Sequence, residues 1–185
     1  MNQTELFNVS LHTKKVIDEL TEYITNYIAF ESSNKPPSSY AITMKRTVDR
    51  MLTYHKLVFN NIGAKLKITR ENLEDTVLNS LDHMFQDNNI HWGRIVSVFT
   101  FYGVLARYCI RSNMGDIVNK IKQKQKDYIL RRFGLWIDRE GGWDSFNKHF
   151  PPQNQTENAI FFGFLWTFVV LGTLATLVIL RRNAV

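Results

Sequence analysis

The side chains that most often carry catalysis or bind metals are sparse in this chain. Its single cysteine, Cys109, lies in a long apolar stretch with no histidine close to it in sequence, so no cysteine–histidine pair is indicated. The histidines show neither the HExxH pattern nor the spacing of zinc ligands. They are His12, His55, His83, His91 and His149. We therefore predict that the protein is not an enzyme and has no catalytic residue, no metal site and no cofactor.

An arginine at the start of an apolar stretch is a side chain that needs a charged partner. The segment His91-Trp-Gly-Arg94 leads into residues 92–110, which are apolar on almost every side of a helix. An unpaired arginine buried there would be strongly unfavourable, so Arg94 needs a carboxylate from its own chain or from another protein. Trp92 supplies a large anchor for the core, and Gly93 permits close approach of its neighbours.

A second distinctive segment, residues 136–146, contains the adjacent glycines Gly141 and Gly142. Such a pair ends a helix readily because glycine adopts backbone conformations that other residues avoid. The pair is too short to cradle a nucleotide phosphate and no strand precedes it, so we interpret it as structural. Trp143 and Phe146 would then pin the short helix that follows.

Both segments must be positioned by helices, because apolar residues recur at helical spacing and no alternating strand pattern is present. The apolar stripes lie at residues 16–28, 41–66, 73–85, 92–110, 116–137 and 142–150. A breaker-rich loop at 31–39 separates the first two, residues 69–72 resemble a helix cap, and Asp116 would cap the stripe that it begins. The pattern predicts an all-α fold with six to eight helices around a central apolar one.

Length and charge narrow the class of protein further. A chain of 185 residues, 44% of them apolar, suits one domain with a substantial core. The formal net charge of +6 is modest and no aromatic–basic motif accompanies it, which disfavours nucleic-acid binding. A single cysteine excludes an internal disulfide and fits a reducing compartment.

Residues 160–180 form a run of 21 residues without a charged side chain. A helix of about 20 such residues crosses the hydrocarbon core of a bilayer. Arg181 and Arg182 follow at once and suit lipid headgroups. We therefore predict a transmembrane anchor at 160–180 and a basic tail at 181–185, joined by a hinge at 151–159 to a helical domain at 1–150. The start of the chain shows no signal peptide, so we expect that domain in the cytosol.

The two distinctive segments resemble motifs of a known family. His91-Trp-Gly-Arg94 is similar to the first homology motif of the Bcl-2 family, Asn-Trp-Gly-Arg, with His91 in place of asparagine. Residues 136–143 are similar to the second motif, Trp-x-x-x-x-Gly-Gly-Trp. The resemblance covers the whole chain, including the anchor, and implies a Bcl-2-like helical bundle. In that bundle the structural motif residues are Trp92, Gly93, Trp136, Gly141, Gly142 and Trp143.

The resemblance also implies a hydrophobic groove that binds an amphipathic helix, the death motif, of a pro-apoptotic relative. Arg94 would pair with the aspartate of that helix, and a salt bridge within the chain or a solvated arginine is the alternative. The groove would be lined by His55, Val58, Phe59, Ile62, Leu81, Met84, Phe85, Arg94, Ser97 and Phe101. For the apolar members of this set, a role in filling the core is the other interpretation.

Residues 41–66 resemble the family's own death motif, Leu-x-x-x-Gly-Asp. Met44 stands for the leucine and Asp49 for the aspartate, but Val48 replaces the small glycine that lets such a helix dock closely. This disfavours a chain that donates its own motif. Three features favour a pro-survival member of the family: Val48, the N-terminal helix and the Trp-Asp-Ser-Phe end of the second motif. Such a member sequesters death-motif helices and blocks permeabilisation of the mitochondrial outer membrane.

The sequence leaves two other functions open. A pore-forming, pro-apoptotic member would need the same fold. A tail-anchored trafficking or scaffold protein would need heptads that run into the anchor, whereas Pro151-Pro152 interrupts the helix there. By resemblance, the anchor places the protein at the outer mitochondrial or endoplasmic reticulum membrane. A fraction of the protein would instead be cytosolic, with its C-terminal tail in the groove. The short link between the first two helices is typical of compact members, both cellular and virus-encoded.

Overall fold

The computed structural model describes residues 8–152, and this part of the chain consists of helices and their connections. Its eight α-helices are α1 Leu11–Ala29, α2 Ser39–Tyr54, α3 Lys56–Phe59, α4 Ile62–Lys65, α5 Leu73–Met84, α6 Trp92–Arg111, α7 Val118–Arg139 and α8 Gly142–His149. A 3-10 helical turn, Gly115–Ile117, precedes α7. The predicted all-α fold is confirmed.

The membrane prediction falls on a different part of the chain. Within residues 8–152, no helix combines the length and the apolar character that a membrane crossing requires. The predicted anchor at 160–180 lies outside the described residues, as do the tail at 181–185 and most of the hinge.

Helix α6 runs through the centre of the bundle, as its apolar sequence predicts. Every residue from Trp92 to Ala106 is buried, and α1, α2, α4 and α7 pack against the helix. Gly103 lets α1 approach closely, because a Cβ atom at this position would lie 2.5 Å from Cδ1 of Ile28. A helix that is apolar on every face can be stable in water only when other helices surround it.

The apolar stripe at residues 41–66 predicts one helix, and this prediction is wrong. The helix ends after α2, and the chain continues as two single turns, α3 and α4. The hydroxyl of Thr53 donates to the carbonyl of Asp49 at 2.8 Å, a bond that bends helices, and the Asn-Asn pair after α3 has low helix propensity. Gly63 lies against the ring of Tyr108, where a Cβ atom would be 2.2 Å from Cγ. Packing of α4 on α6 therefore favours the broken arrangement over a continuous helix.

The start of α5 at Leu73 is confirmed, but the helix caps differ from those predicted. Oγ1 of Thr69 accepts a hydrogen bond from the N–H of Asn72 at 3.3 Å, and Oδ1 of Asn72 accepts one from the N–H of Thr69 at 2.8 Å. These two side chains brace the loop instead of the first turn of α5. Asp116 lies inside the 3-10 turn and pairs with Arg70, so it does not cap α7. A guanidinium is a stronger partner for a carboxylate than a backbone amide is.

Candidate functional site

Arg94 lies in the first turn of α6, and an acidic side chain of the same chain holds its guanidinium. Nη1 lies 2.5 Å from Oδ1 of Asp87 and Nη2 lies 2.7 Å from Oδ2, so the contact is bidentate. Nη1 also donates to the carbonyl of Asn89 at 2.7 Å. Only 6% of the Arg94 side chain is exposed, compared with 53% for Asp87. Of the alternatives left by the sequence, the internal salt bridge is present in this structure.

The segment that carries Asp87, residues 85–91, is held by a second arginine from α7. Nη2 of Arg132 donates to Oδ1 of Asn88 at 2.8 Å and to the carbonyl of Phe85 at 3.3 Å. The Phe85 ring centroid lies 5.6 Å from Cζ of Arg94 and 5.9 Å from Cζ of Arg132, within the range of cation–π attraction. The hydrogen bond from Arg94 lowers the pKa of Asp87 to about 2, so this carboxylate is ionised at neutral pH.

Asp87 and Arg132 were not identified from the sequence. For Asp87 a signal was available, because it stands in a polar segment shortly before a buried arginine that needs a carboxylate. No comparable signal exists for Arg132, whose contact with the 85–91 segment depends on the way α7 folds back beside α6.

The residues predicted to line a groove are close to one another but are largely buried. His55 and Val58 are half-buried, and Arg94 and Ser97 are buried, the hydroxyl of Ser97 donating to the carbonyl of Gly93 at 3.0 Å. The remaining six belong to one hydrophobic core cluster: Phe59, Ile62, Leu81, Met84, Phe85 and Phe101. A helical ligand could reach these side chains only after their surface was uncovered. The groove therefore stays a prediction.

The aromatic residues of the two motifs meet at the start of α6. The ring centroid of Trp92 lies 4.9 Å from that of Trp136 and 5.8 Å from that of Trp143. Trp143 is fully buried, and its ring also lies near those of Phe99 and Phe146. The first motif thus packs directly against the second, although more than forty residues separate them in sequence.

The turn between α7 and α8 depends on glycine. Gly141 and Gly142 have φ angles of 91° and 70°, in the left-handed region that other residues rarely adopt. A Cβ atom at Gly141 would in addition lie 2.6 Å from Oγ of Ser145. This turn leads from α7 into α8 and brings Trp143 into the cluster around Trp92.

Asp138, within the second motif, joins the end of α7 to the start of α1. Its carboxylate accepts hydrogen bonds from the N–H of Ser10 at 2.7 Å, the hydroxyl of Ser10 at 2.9 Å and the hydroxyl of Thr13 at 2.6 Å. Burial alone would raise the pKa of Asp138, but the hydrogen bonds outweigh it and hold the pKa below its usual value. The folded chain therefore favours the ionised form.

We expect the exchange Asp138→Asn to lower the free energy of unfolding at neutral pH by about 1 kcal/mol, because a charged acceptor is lost. The pKa of Asp138 is lower in the folded chain than its usual 3.8, so this stabilisation is present above that value. It is lost as the pH falls through the lower, folded value. Urea unfolding at several pH values should show the variant approaching the wild-type chain in strong acid, and a gap independent of pH would contradict the role given to this carboxylate.

The helix that resembles the family's death motif faces the interior. Met44 and Val48 of α2 are fully buried. The carboxylate of Asp49 accepts from the hydroxyl of Tyr27 at 2.5 Å and from Nζ of Lys45 at 2.8 Å. The residues that such a motif would present to another protein therefore already have contacts within the bundle.

Metal binding and thiol chemistry have little support in the described part of the chain. Among residues 8–152, no group of three or more histidine, cysteine, aspartate or glutamate side chains could hold a metal ion. Cys109 is buried, and burial raises the pKa of its thiol to about 11, so little reactive thiolate forms at neutral pH. The region around Arg94 is therefore the candidate site.

Residues 44–143, more than half of the chain, match the family of apoptosis regulator proteins described as the Bcl-2 family. The chain is 27% identical over 130 residues to apoptosis regulator Bcl-2 of Canis lupus familiaris, covering 70% of this chain and 53% of the relative. It is 28% identical over 145 residues to apoptosis regulator R11 of Xenopus laevis, covering 76% and 70%. The chain spans about half the length of the mammalian relatives that it matches.

Solved structures share the fold. The Trichoplax adhaerens protein trBcl-2L2, bound to trBak BH3, has a TM-score of 0.69 and 21% identity, covering 75% of this chain and 99% of its own. The zebra-fish pro-survival protein NRZ, in complex with Bad BH3, has a TM-score of 0.69 and 22% identity, covering 79% and 99%. These likenesses establish a Bcl-2-like helical bundle. With the match over residues 44–143, this chain belongs to the Bcl-2 family of apoptosis regulators.

Proposed function

We propose that this protein is a pro-survival member that binds the death-motif (BH3) helices of pro-apoptotic relatives and so prevents permeabilisation of the mitochondrial outer membrane. The observation that carries the proposal is Arg94, a nearly buried guanidinium whose partner carboxylate is exposed, next to an apolar cluster. Recognition of an amphipathic helix needs an apolar trough for its anchors and a charge to set its register. The BH3 segments bound to trBcl-2L2 and NRZ support the same class of partner here.

In this proposal the ligand helix lies among α3, α4, α5 and the first half of α6. Its apolar residues bury themselves against the core cluster near Phe59, Met84 and Phe101, and its aspartate reaches Arg94. Because these side chains are buried in the free chain, part of the wall must move. The single turns α3 and α4 are suited to this, since short helices have few internal hydrogen bonds to lose.

The position of the chain's own death motif favours a binder of such helices over a donor. Met44 and Val48 face the core, and Asp49 accepts a hydrogen bond from Tyr27 of α1, so release of α2 would break both packing and this hydrogen bond. The pore-forming alternative has no specific observation in its favour. The trafficking or scaffold alternative loses its support with the family match, and we propose a binding protein without enzyme activity.

We also propose that residues 160–180 anchor the protein in the outer mitochondrial or endoplasmic reticulum membrane, with the helical domain in the cytosol. The uncharged run and the arginines that follow it support this location. Extraction of cell membranes with alkaline carbonate tests it. The full chain should stay in the pellet, a variant that ends at residue 152 should be released, and release of the full chain would contradict the anchor.

The test of the proposed function is a binding panel. Synthetic death-motif peptides carrying a fluorophore are titrated with the full chain in detergent micelles, and a peptide of the same composition in scrambled order serves as control. We expect saturable binding of several death-motif peptides and none of the scrambled one. In cells given a death stimulus, expression should delay release of cytochrome c, whereas accelerated release would contradict the proposal in favour of the pore-forming alternative.

A further inference from the structure

We propose that Asp87 is a built-in competitor for the ligand: it occupies Arg94 in the free protein and must leave before a carboxylate of the partner helix can bind there. This inference rests on the proposed function of the Arg94 site. It makes Asp87 a residue that tunes affinity, although it would not belong to the final contact with the partner's aspartate.

The first support is the way in which Asp87 uses the donors of Arg94. Both outer nitrogens of the guanidinium bond to this carboxylate, at 2.5 and 2.7 Å, and Nη1 also donates to the carbonyl of Asn89. The remaining nitrogen, Nε, is buried and has no hydrogen-bond partner among the described residues. With 6% of the side chain exposed, little of the guanidinium is open to a second carboxylate until Asp87 moves.

The second support is that Asp87 is the partner able to move. Half of its side chain is already exposed, at 53%, so a rotation into solvent restores its hydration. Besides the bond to Arg94, Oδ1 of Asp87 accepts the N–H of Asn89, a neighbour in the same segment, at 3.1 Å. Arg94 has no such freedom, because it is buried at the start of the central helix.

The third support is that the backbone around Asp87 has its own attachment. Arg132 donates to the side chain of Asn88 and to the carbonyl of Phe85, on either side of Asp87 in sequence. The Phe85 ring also packs near Phe133, at 5.0 Å between centroids. The 85–91 segment can therefore stay in place while the Asp87 side chain rotates, so the exchange of partners needs no unfolding of the loop.

The exchange has a predictable effect on affinity. In the wild-type chain one ion pair is broken for each one formed with the ligand, whereas in Asp87→Asn the ligand aspartate meets an arginine that lacks a carboxylate. We therefore expect Asp87→Asn to bind an aspartate-bearing peptide about tenfold more tightly, equivalent to about 1.4 kcal/mol. Its affinity should also fall more steeply with added salt, since a new pair forms without loss of an old one.

The experiment uses the full chain in micelles and a fluorescent synthetic peptide with apolar anchors at helical spacing and one aspartate. Asp116→Asn is the matched control: it removes the same charge from an exposed ion pair, with Arg70, outside the site. We expect the control to bind as the wild-type chain does. Tighter binding by Asp87→Asn alone supports the inference, and equal or weaker binding overturns it while the proposed function stands. A wild-type chain that binds no peptide overturns both.

A second measurement, on the wild-type chain, tests the inference if the Asp87→Asn variant fails to fold. In the wild-type chain labelled with carbon-13 at aspartate carboxyl groups, the pKa of Asp87 can be followed with and without peptide. We expect the low pKa of the free chain to rise towards the usual value of 3.8 when the peptide takes Arg94. A value unchanged by saturating peptide overturns the inference.

Discussion

Replacing Trp143 with alanine is expected to lower the free energy of unfolding by about 4 kcal/mol. The side chain is fully buried where the two motifs meet, in ring contact with Trp92, Phe99 and Phe146. The neighbours cannot close the cavity easily, because the left-handed turn at Gly141 fixes where α8 begins. Such a loss is a large fraction of the ~5–15 kcal/mol that stabilises a typical domain. Urea unfolding followed by circular dichroism measures it.

The variant Trp143→Phe is the matched control for this loss. Nε1 of Trp143 has no hydrogen-bond partner among the described residues, so phenylalanine gives up ring area without giving up a hydrogen bond. We expect it to lower the free energy of unfolding by about 1–2 kcal/mol. If both exchanges destabilised the chain equally, ring packing between the motifs would not be what stabilises this end of the bundle.

The exchange Arg94→Ala is expected to weaken binding of an aspartate-bearing death-motif peptide by about 100-fold, or about 3 kcal/mol. Truncation removes the cation and leaves the peptide's carboxylate against the apolar cluster without a partner. The fold should survive, because the side chain left behind, Asp87, is exposed and can turn into water. Anisotropy titration measures the affinity, and circular dichroism checks the helix content.

Arg70→Ala controls for the loss of one positive charge. Arg70 is exposed and pairs with Asp116 near the end of α6 that lies opposite Arg94, so its removal should change the affinity by less than about twofold. An Arg94→Ala chain that bound as tightly as the Arg70→Ala chain would refute the charge-pairing role.

Elements with a strong local pattern could be predicted from the sequence. The central helix α6 is one of them, because residues 92–106 are apolar on almost every face, and such a helix is stable only when other helices surround it. The break in residues 41–66 could not be predicted in the same way. The local features, a threonine near the end of α2 and an Asn-Asn pair, disfavour a helix only weakly. The contact of Gly63 with the ring of Tyr108 joins positions far apart in the chain and leaves no periodic signal.

The contacts of the site also differ in how far the sequence predicts them. The need of Arg94 for a carboxylate follows from its neighbours in sequence, and that requirement is met. Which carboxylate meets it depends on how the 85–91 segment folds back over the start of α6. The bond of Asp138 to Ser10 is likewise a contact between the two ends of the domain, and only the assembled bundle reveals it.

The coupling energy between Arg94 and the aspartate of the ligand helix tests the central claim most directly. It comes from a double-mutant cycle of four affinities: wild-type chain and Arg94→Ala, each with a death-motif peptide and with the same peptide carrying alanine for aspartate. Direct pairing predicts a coupling of about 2 kcal/mol or more, so that the second exchange adds little once the first is made. Additive losses, with a coupling near zero, would mean that Arg94 does not bind the ligand's carboxylate.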